Sequence, residues 1–253
     1  MRRLATAAIA IPVSLLITKF APAWVLALVV ALLAGLMLDE YLNLLEAYGR
    51  ARPGRWFLIP GGLVGASFYL YPIGVIATLV MTILCLAATC VFSGSLDRAL
   101  DRVAGGLSGV AYCSVLIGFL LLLPRSAIFV LFGIIWAGDS AAYYGGRAFG
   151  RHPLAPKVSP RKTVEGAMCG LIGSVIAGIA VGAWLLKLPW TLLAAVSTAT
   201  AIAGQIGDLA ESALKRSAGV KDSSSILPGH GGILDRLDSL LFAAPVFFWL
   251  IMA

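Results

Sequence analysis

The chain has 253 residues, of which 60% are hydrophobic and only 12% are charged, with a formal net charge of +7. Its mean hydropathy of +0.96 lies far outside the range of soluble domains, in which about half of the residues are apolar and about a quarter are charged. The composition excludes a soluble domain and predicts an all-α, polytopic integral membrane protein.

Apolar stretches separated by Pro, Gly and charged clusters predict about nine transmembrane helices, since a spanning helix needs roughly 17 to 25 mostly apolar residues. The predicted spans are 4–18, 22–43, 56–71, 73–92, 106–123, 126–145, 165–186, 189–209 and 237–253. The N-terminal Met1-Arg2-Arg3 and its apolar run suggest a signal peptide, but more membrane segments follow, so we interpret them as the first span. Tyr71-Pro72 is the weakest break, because proline can kink one helix instead of separating two.

The distribution of Lys and Arg predicts the orientation, because basic residues collect in cytoplasmic loops. With a cytoplasmic N-terminus, only Lys19, Arg125 and Lys187 of the nineteen basic residues fall on the outer side. This bias accounts for most of the positive charge, so the net charge does not call for nucleic acid as a partner. We expect a protein of a bacterial-type inner membrane whose chemistry faces the cytoplasm, where the long polar segments 146–164 and 210–236 lie.

Acidic residues from distant stretches converge on that face in the predicted topology. Asp139 lies about six residues, or about 9 Å at 1.5 Å per residue, from the end of its span. An acid at this depth is costly unless it binds a cation or pairs with a base, so it predicts a functional site. A salt bridge from Asp139 to a loop residue such as Arg147 is the structural alternative.

The acids at the eighth and ninth spans are spaced for metal binding. Asp208 and Glu211, like Asp235 and Asp238, are three residues apart and share a helix face. Carboxylates so placed favour a divalent cation, and Mg²⁺ usually takes one or two of them with phosphates and water. The preceding turn at 228–232 offers backbone N–H groups for an anion, although an Asp-x-x-Asp alone also suits an ordinary helix start.

Two groups of basic residues could clamp a polyphosphate and a lipid headgroup, although membrane topology or contact with anionic lipids explains each residue equally well. They are Lys215, Arg216 and Lys221 on one inner segment and Lys157, Arg161 and Lys162 on the other. His230 lies between glycines with no acid placed to orient it, so a turn or phosphate-contact role is favoured over that of a base.

Two sequence segments resemble those of the phosphatidate cytidylyltransferases, also called CDP-diacylglycerol synthases. The signature segment, 212–238, reads "SALKRSAGVKDSSSILPGHGGILDRLD" and matches every fixed position of the family pattern S-x-φ-K-R…K-D…P-x-H-G-G-φ-x-D-R-φ-D. The inner-loop segment, 138–166, reads "GDSAAYYGGRAFGRHPLAPKVSPRKTVEG" and carries the family's Asp, Tyr-x-x-Gly-Arg and Ser-Pro-x-Lys-Thr-x-Glu-Gly elements.

The resemblance implies a membrane enzyme, commonly a homodimer, that joins CTP and phosphatidate to give CDP-diacylglycerol and pyrophosphate with Mg²⁺. The proposed chemistry is attack of the lipid phosphate on the α-phosphorus of CTP, with one or two cations holding the attacking and leaving oxygens. The whole chain is expected to form one membrane domain, with N-terminal spans at roughly 1–105 and catalytic spans and loops at roughly 106–253.

The resemblance also implies roles for particular residues. The expected metal ligands are Asp208, Asp235 and Asp238, with Asp139 as a further candidate. The expected catalytic residues are the first three of these together with Lys221. The expected substrate-binding residues are Lys157, Ser159, Arg161, Lys162, Lys215, Arg216, His230, Gly231, Gly232 and Arg236.

Two other functions fit part of the pattern. A CTP-dependent polyprenol or other lipid kinase would use the same ions and nucleotide. An ion-coupled transporter would also place acids in its membrane helices, but it predicts charges near the middle of the membrane and an internal repeat. The acids here cluster at one face, and the sequence shows no convincing repeat.

Overall fold

The computed structural model describes residues 2–92, 97–226 and 231–252, with side chains from residue 11 onward. Within these residues the helices are α1 (Arg2–Phe20), α2 (Ala23–Ala47), α3 (Leu58–Ala66), α4 (Ile73–Phe92), α5 (Ala99–Leu122), α6 (Arg125–Phe149), α7 (Val164–Leu185), α8 (Trp190–Ser217) and α9 (Leu234–Met252). An antiparallel hairpin of β1 (Pro153–Ala155) and β2 (Ser159–Thr163) lies between α6 and α7.

The helices fall on the predicted apolar stretches, and the all-α fold class is confirmed. Within the described part of the chain, six helices are long and apolar enough to cross a membrane, namely α2, α4, α5, α6, α7 and α8. The chain is therefore an all-α integral membrane protein. Helices α1, α3 and α9 are not among these six, and the predicted count of nine spans rests on them.

Three predicted spans differ most in extent from the structure. The span predicted at 189–209 continues as α8 to Ser217. The span predicted at 56–71 is an α-helix only over Leu58–Ala66, with 3₁₀ turns on both sides. The span predicted at 106–123 begins at Ala99 and contains a π-helical turn over Val110–Val115. The helix starts early because Asp101 in its first turn is favoured by the helix dipole and pairs with Arg50 at 2.9 Å.

The described residues group into two compact units. The first is formed by 1–122 and 214–236. Its core is built where α2 packs against α3 and α5, and its side chains include Met37, Leu38 and Ile117, which are fully buried. At its polar edge Arg52 pairs with Asp39 at 2.8 Å, which ties the segment after α2 back to that helix.

The second unit is formed by 123–213 and 237–253 and contains the close pair α6 and α7. Small residues line the contact, since a Cβ at Gly138 would collide with Ser174 and one at Gly145 with Cys169. The Ser174 hydroxyl donates to the Ile134 carbonyl at 2.8 Å. Small residues and interhelical hydrogen bonds allow membrane helices to approach closely, and this packing fixes the part of α6 that carries Asp139.

Candidate active site

Three predicted acids come together in the second unit. Asp139 is on α6, Asp208 is near the end of α8, and Asp238 is in the second turn of α9. Asp238 lies close enough to Asp208, Asp139 and Lys162 to interact electrostatically with all three. We call these four residues the carboxylate cluster. Three side chains that are up to 99 positions apart in sequence therefore meet, and all three belong to the four acids, with Asp235, that the predicted topology brings to one membrane face.

Lys162 is the cation of the carboxylate cluster. Its ammonium pairs with the Asp208 carboxylate, and the two side chains are 29% and 30% exposed. Lys162 is the residue before the last of β2, so the hairpin carries it to α8. A partly exposed ion pair of this kind leaves both groups accessible to a charged ligand.

A small cavity of about 30 Å³ adjoins Asp139 within the second unit. Most of its lining is apolar or small, and the polar side chains are those of Asp139, Ser174, Gln205 and Ser239. Gln205 donates to the Ala167 carbonyl at 3.0 Å, so its amide links α8 to α7 beside this cavity. A space of this size has room for about one or two water molecules.

The hairpin of the inner-loop segment is held by Glu165. One carboxylate oxygen accepts the backbone N–H groups of Arg151 and His152 at 3.0 and 3.2 Å, and the other contacts the His152 ring at 2.5 Å. The Thr163 side chain caps α7 by accepting the Gly166 N–H at 3.1 Å. These contacts leave Lys157 and Arg161 exposed and Ser159 half-buried on the hairpin.

In the first unit, Asp235 organises the end of the signature segment. Its side chain is 5% exposed and pairs with Lys215 at 2.5 Å. Its other oxygen accepts the N–H groups of Ser223 at 3.0 Å and Gly232 at 2.7 Å. Asp235 and Lys215 are thus joined in the structure, whereas the sequence assigned one to a metal ion and the other to the triphosphate.

Gly231 and Gly232 of the signature segment meet different steric requirements. Gly231 has a φ of +76°, which L-residues with a side chain rarely adopt. A Cβ at Gly232 would collide with Ser223 and with the Glu40 carboxylate. Because a side chain at position 232 would not fit, close packing is one reason for glycine here. The Gly232 N–H donates to Asp235. Pro228, Gly229 and His230 lie outside the described residues, so the predicted role of His230 stays a prediction.

Glu40 is the residue of this region that the sequence did not assign to a site. It is fully buried in α2 and accepts hydrogen bonds from two described stretches of the signature segment, at Ser223, Ser224, Ile233 and Leu234. The only signal in the sequence was a charged residue in an apolar helix, and nothing linked it to a segment more than 180 positions away.

The remaining predicted basic residues of the signature segment, Arg216, Lys221 and Arg236, are exposed.

The residues present fit a divalent cation by their chemistry. Asp208 and Asp238 supply the carboxylate oxygens that Mg²⁺ prefers, with Asp139 nearby, and Mg²⁺ usually completes its shell with water and phosphate oxygens. Among residues 2–92, 97–226 and 231–252, no three His, Cys, Asp or Glu side chains already form a metal-binding group. The donor set therefore suits a cation that arrives with its phosphate ligand.

The fold and these contacts define a polytopic α-helical membrane protein that brings together carboxylates and lysines from the C-terminal half of its chain. The sequence model of the Cytidylyltransferase family matches residues 1–253, and the chain belongs to that family.

Individual relatives show different extents of similarity. The chain is 35% identical over 242 residues to YnbB, an uncharacterized protein of Escherichia coli K12. The aligned residues cover 91% of this chain and 80% of YnbB. The chain is 47% identical over 125 residues to the phosphatidate cytidylyltransferase of Bacillus subtilis 168, which covers 49% of this chain and 46% of that enzyme. The Haemophilus influenzae phosphatidate cytidylyltransferase is 47% identical over 132 residues, with the same two coverages. The chain thus matches a little under half the length of these two enzymes.

Proposed function

We propose that the protein is a phosphatidate cytidylyltransferase, which transfers CMP from CTP to phosphatidate and releases pyrophosphate. The observation that carries this proposal is the meeting of Asp139, Asp208 and Asp238 with Lys162 in one cluster. A set of acids with an adjacent lysine suits a metal-dependent reaction between two phosphate-bearing substrates. The named relatives support the same reaction, since their similarity to this chain reaches 47% identity.

The proposed setting is a bacterial-type inner membrane, with about nine spans, a cytoplasmic N-terminus and the site facing the cytoplasm. The connections after α6 and α8 contain the inner-loop hairpin and most of the signature segment, and both connections would lie on the cytoplasmic side. Sixteen of the nineteen Lys and Arg residues fall on that side in this arrangement. A homodimer and the absence of a nucleic-acid partner belong to the same proposal.

The proposed reaction forms a bond between a phosphatidate phosphate oxygen and the α-phosphorus of CTP. The bond between the α- and β-phosphates breaks, and pyrophosphate leaves with its electron pair. A phosphate monoester has a second pKa of about 6, so the nucleophile is largely ionised at neutral pH and needs no strong base. A site of acids and cations is suited to this reaction.

The chain's own residues would bind and position the two substrates. Asp208 and Asp238 would hold Mg²⁺, with Asp139 beside them, and the bound ion would supply positive charge to the phosphates. Lys162 would exchange part of its contact with Asp208 for a phosphate oxygen. Lys215, Arg216 and Lys221 would bind the triphosphate, while Lys157 and Arg161 on the exposed hairpin would meet the phosphatidate headgroup. Catalysis then comes mainly from positioning and charge stabilisation.

Labelled CTP tests the proposal directly. Purified full-length protein in detergent is incubated with phosphatidate, Mg²⁺ and CTP labelled at the α- or the γ-phosphate. We expect the α-label in the lipid and free pyrophosphate, with loss of transfer on chelation and recovery when Mg²⁺ is restored. Transfer of the γ-label would identify a lipid kinase instead, and a lipid with neither label would reject both enzymes.

A further inference from the structure

The buried carboxylate of Glu40 joins the N-terminal half of the chain to the signature segment. Oε1 accepts from the Ser224 hydroxyl at 2.7 Å and the Ile233 N–H at 2.9 Å. Oε2 accepts from the Leu234 N–H at 2.7 Å and lies 3.0 Å from the Ser223 hydroxyl. Each oxygen is therefore shared between the two sides of one loop, although Glu40 itself lies on α2.

These hydrogen bonds offset the free-energy cost of burying the Glu40 carboxylate. A fully buried charge in an apolar helix is strongly unfavourable without hydrogen-bond donors. Two of its donors are main-chain N–H groups at the start of α9, which have no partner within that helix and favour a negative charge. Glu40 and the helix start thus stabilise each other, and the carboxylate joins residues 223–224 to this helix start.

The residues that bind Glu40 also contact Asp235. The Ser223 hydroxyl lies 3.0 Å from Glu40 and 2.9 Å from Asp235, and its single proton can be donated to either carboxylate. Gly232 is packed against Glu40 so closely that it has no room for a side chain, and its N–H binds Asp235. A shift of the loop away from Glu40 would therefore move Asp235 and its partner Lys215.

We propose that Glu40 is a positioning residue that holds residues 221–226 and 231–235 of the signature segment in the arrangement needed to bind the CTP triphosphate. We call the four hydrogen bonds of the Glu40 carboxylate the clamp. The clamp rests on these contacts, whereas the identity of the ligand rests on the proposed function. It gives the N-terminal spans a role in the site, because α2 supplies the anchor for a loop near the C-terminal end of the chain.

The test replaces Glu40 by Gln in the full-length protein and measures both the loop and the reaction. Gln has nearly the same size, but its amide nitrogen would face a main-chain N–H, so the two-sided clamp is lost. We expect the amides of 231–235 to exchange with deuterium at least about tenfold faster. We also expect kcat/KM for CTP to fall about tenfold or more, with a rise in KM for CTP and little change in KM for phosphatidate.

Three further variants make the test selective. Glu46→Gln makes the same chemical change at an exposed position of α2, and it should leave exchange and kinetics unchanged. Glu40→Asp keeps the charge and should recover part of the slow exchange and of the activity. Ser224→Ala removes one donor and should shift both measurements in the same direction by a smaller factor. If Glu40→Gln fails to fold, the exchange rates of Ser224→Ala test the clamp instead.

Each outcome bears on one part of the inference. Unchanged exchange in Glu40→Gln, or in Ser224→Ala if the first variant does not fold, would overturn the clamp. Faster exchange with unchanged KM for CTP would show that the clamp does not position the triphosphate site. If the wild-type protein transfers no label from CTP, the proposed function and the link to CTP fail together, while the exchange data still decide whether Glu40 holds the loop.

Discussion

Asp208 lies near side chains of both charges. The Lys162 ammonium balances its charge, whereas Asp238 and Asp139 add negative charge to the same region. Three carboxylates beside one lysine leave an excess of negative charge, and a divalent cation is a natural partner for it. The structure contains the acids and the lysine in one place, and the arrival of a cation with its phosphates would complete their neutralisation.

Removing the charge of Asp208 should therefore stop the reaction without unfolding the protein. We expect Asp208→Asn to lower kcat by about 100-fold or more, a loss comparable to removal of one main electrostatic group in other active sites. The measurement is transfer of α-label from CTP to phosphatidate at saturating Mg²⁺. Activity within about threefold of wild type would remove Asp208 from the proposed metal site.

A matched control separates this effect from a general loss of charge. Asp97→Asn makes the same substitution at an exposed residue in the connection before α5. It should retain wild-type activity, and both variants should purify with the same yield and thermal midpoint.

At the scale of the elements, the second unit depends on small residues between helices. A Cβ at Gly178 of α7 would lie 2.8 Å from Ser197 Cβ on α8 and 3.0 Å from Ile134 Cγ1 on α6. Neither atom is the end of a long flexible chain, and Ser197 is buried. The three helices can approach this closely only because Gly178 has no side chain.

We expect Gly178→Ala to destabilise the protein by about 1 to 3 kcal/mol, because the added methyl group overpacks the contact. Gly133→Ala on α6 is the matched control, since its Cβ would meet only Val181 Cγ2 at an ordinary 3.5 Å. Alanine also favours the helix over glycine, so this control should be neutral or slightly stabilising. Thermal unfolding in one detergent measures both, and an equal midpoint for the two variants would contradict the packing.

The sequence predicted the helices well because hydropathy and helix breakers act locally. The start of α4 at Ile73 and the break at Tyr71-Pro72 fall where the pattern placed them. The early start of α5 was missed because Asp101 and Arg102 resemble a polar loop, and their helical position depends on a partner, Arg50, that lies 51 residues away. The π-helical turn in α5 left no recognisable signal.

At the scale of the whole molecule, the site was only partly predictable. The meeting of Asp139, Asp208 and Asp238 followed from the predicted directions of their helices, so topology was sufficient for these three acids. The pairs Lys162–Asp208 and Lys215–Asp235 depend on the path of individual loops, which composition does not specify. Glu40 was missed for the same reason, because its partners are set by tertiary contact across more than 180 residues.

The proposed topology has a direct consequence for the two ends of α7. Arg161 on the hairpin before it should face the cytoplasm, and Lys187 after it should face the opposite side. We expect a membrane-impermeant maleimide to label Arg161→Cys only in inverted vesicles and Lys187→Cys only in right-side-out vesicles. The background is a variant in which Cys85, Cys90, Cys113 and Cys169, none of them exposed, are replaced. Labelling of both positions from the same side would mean that α7 does not cross the bilayer, and the nine-span arrangement would then be wrong.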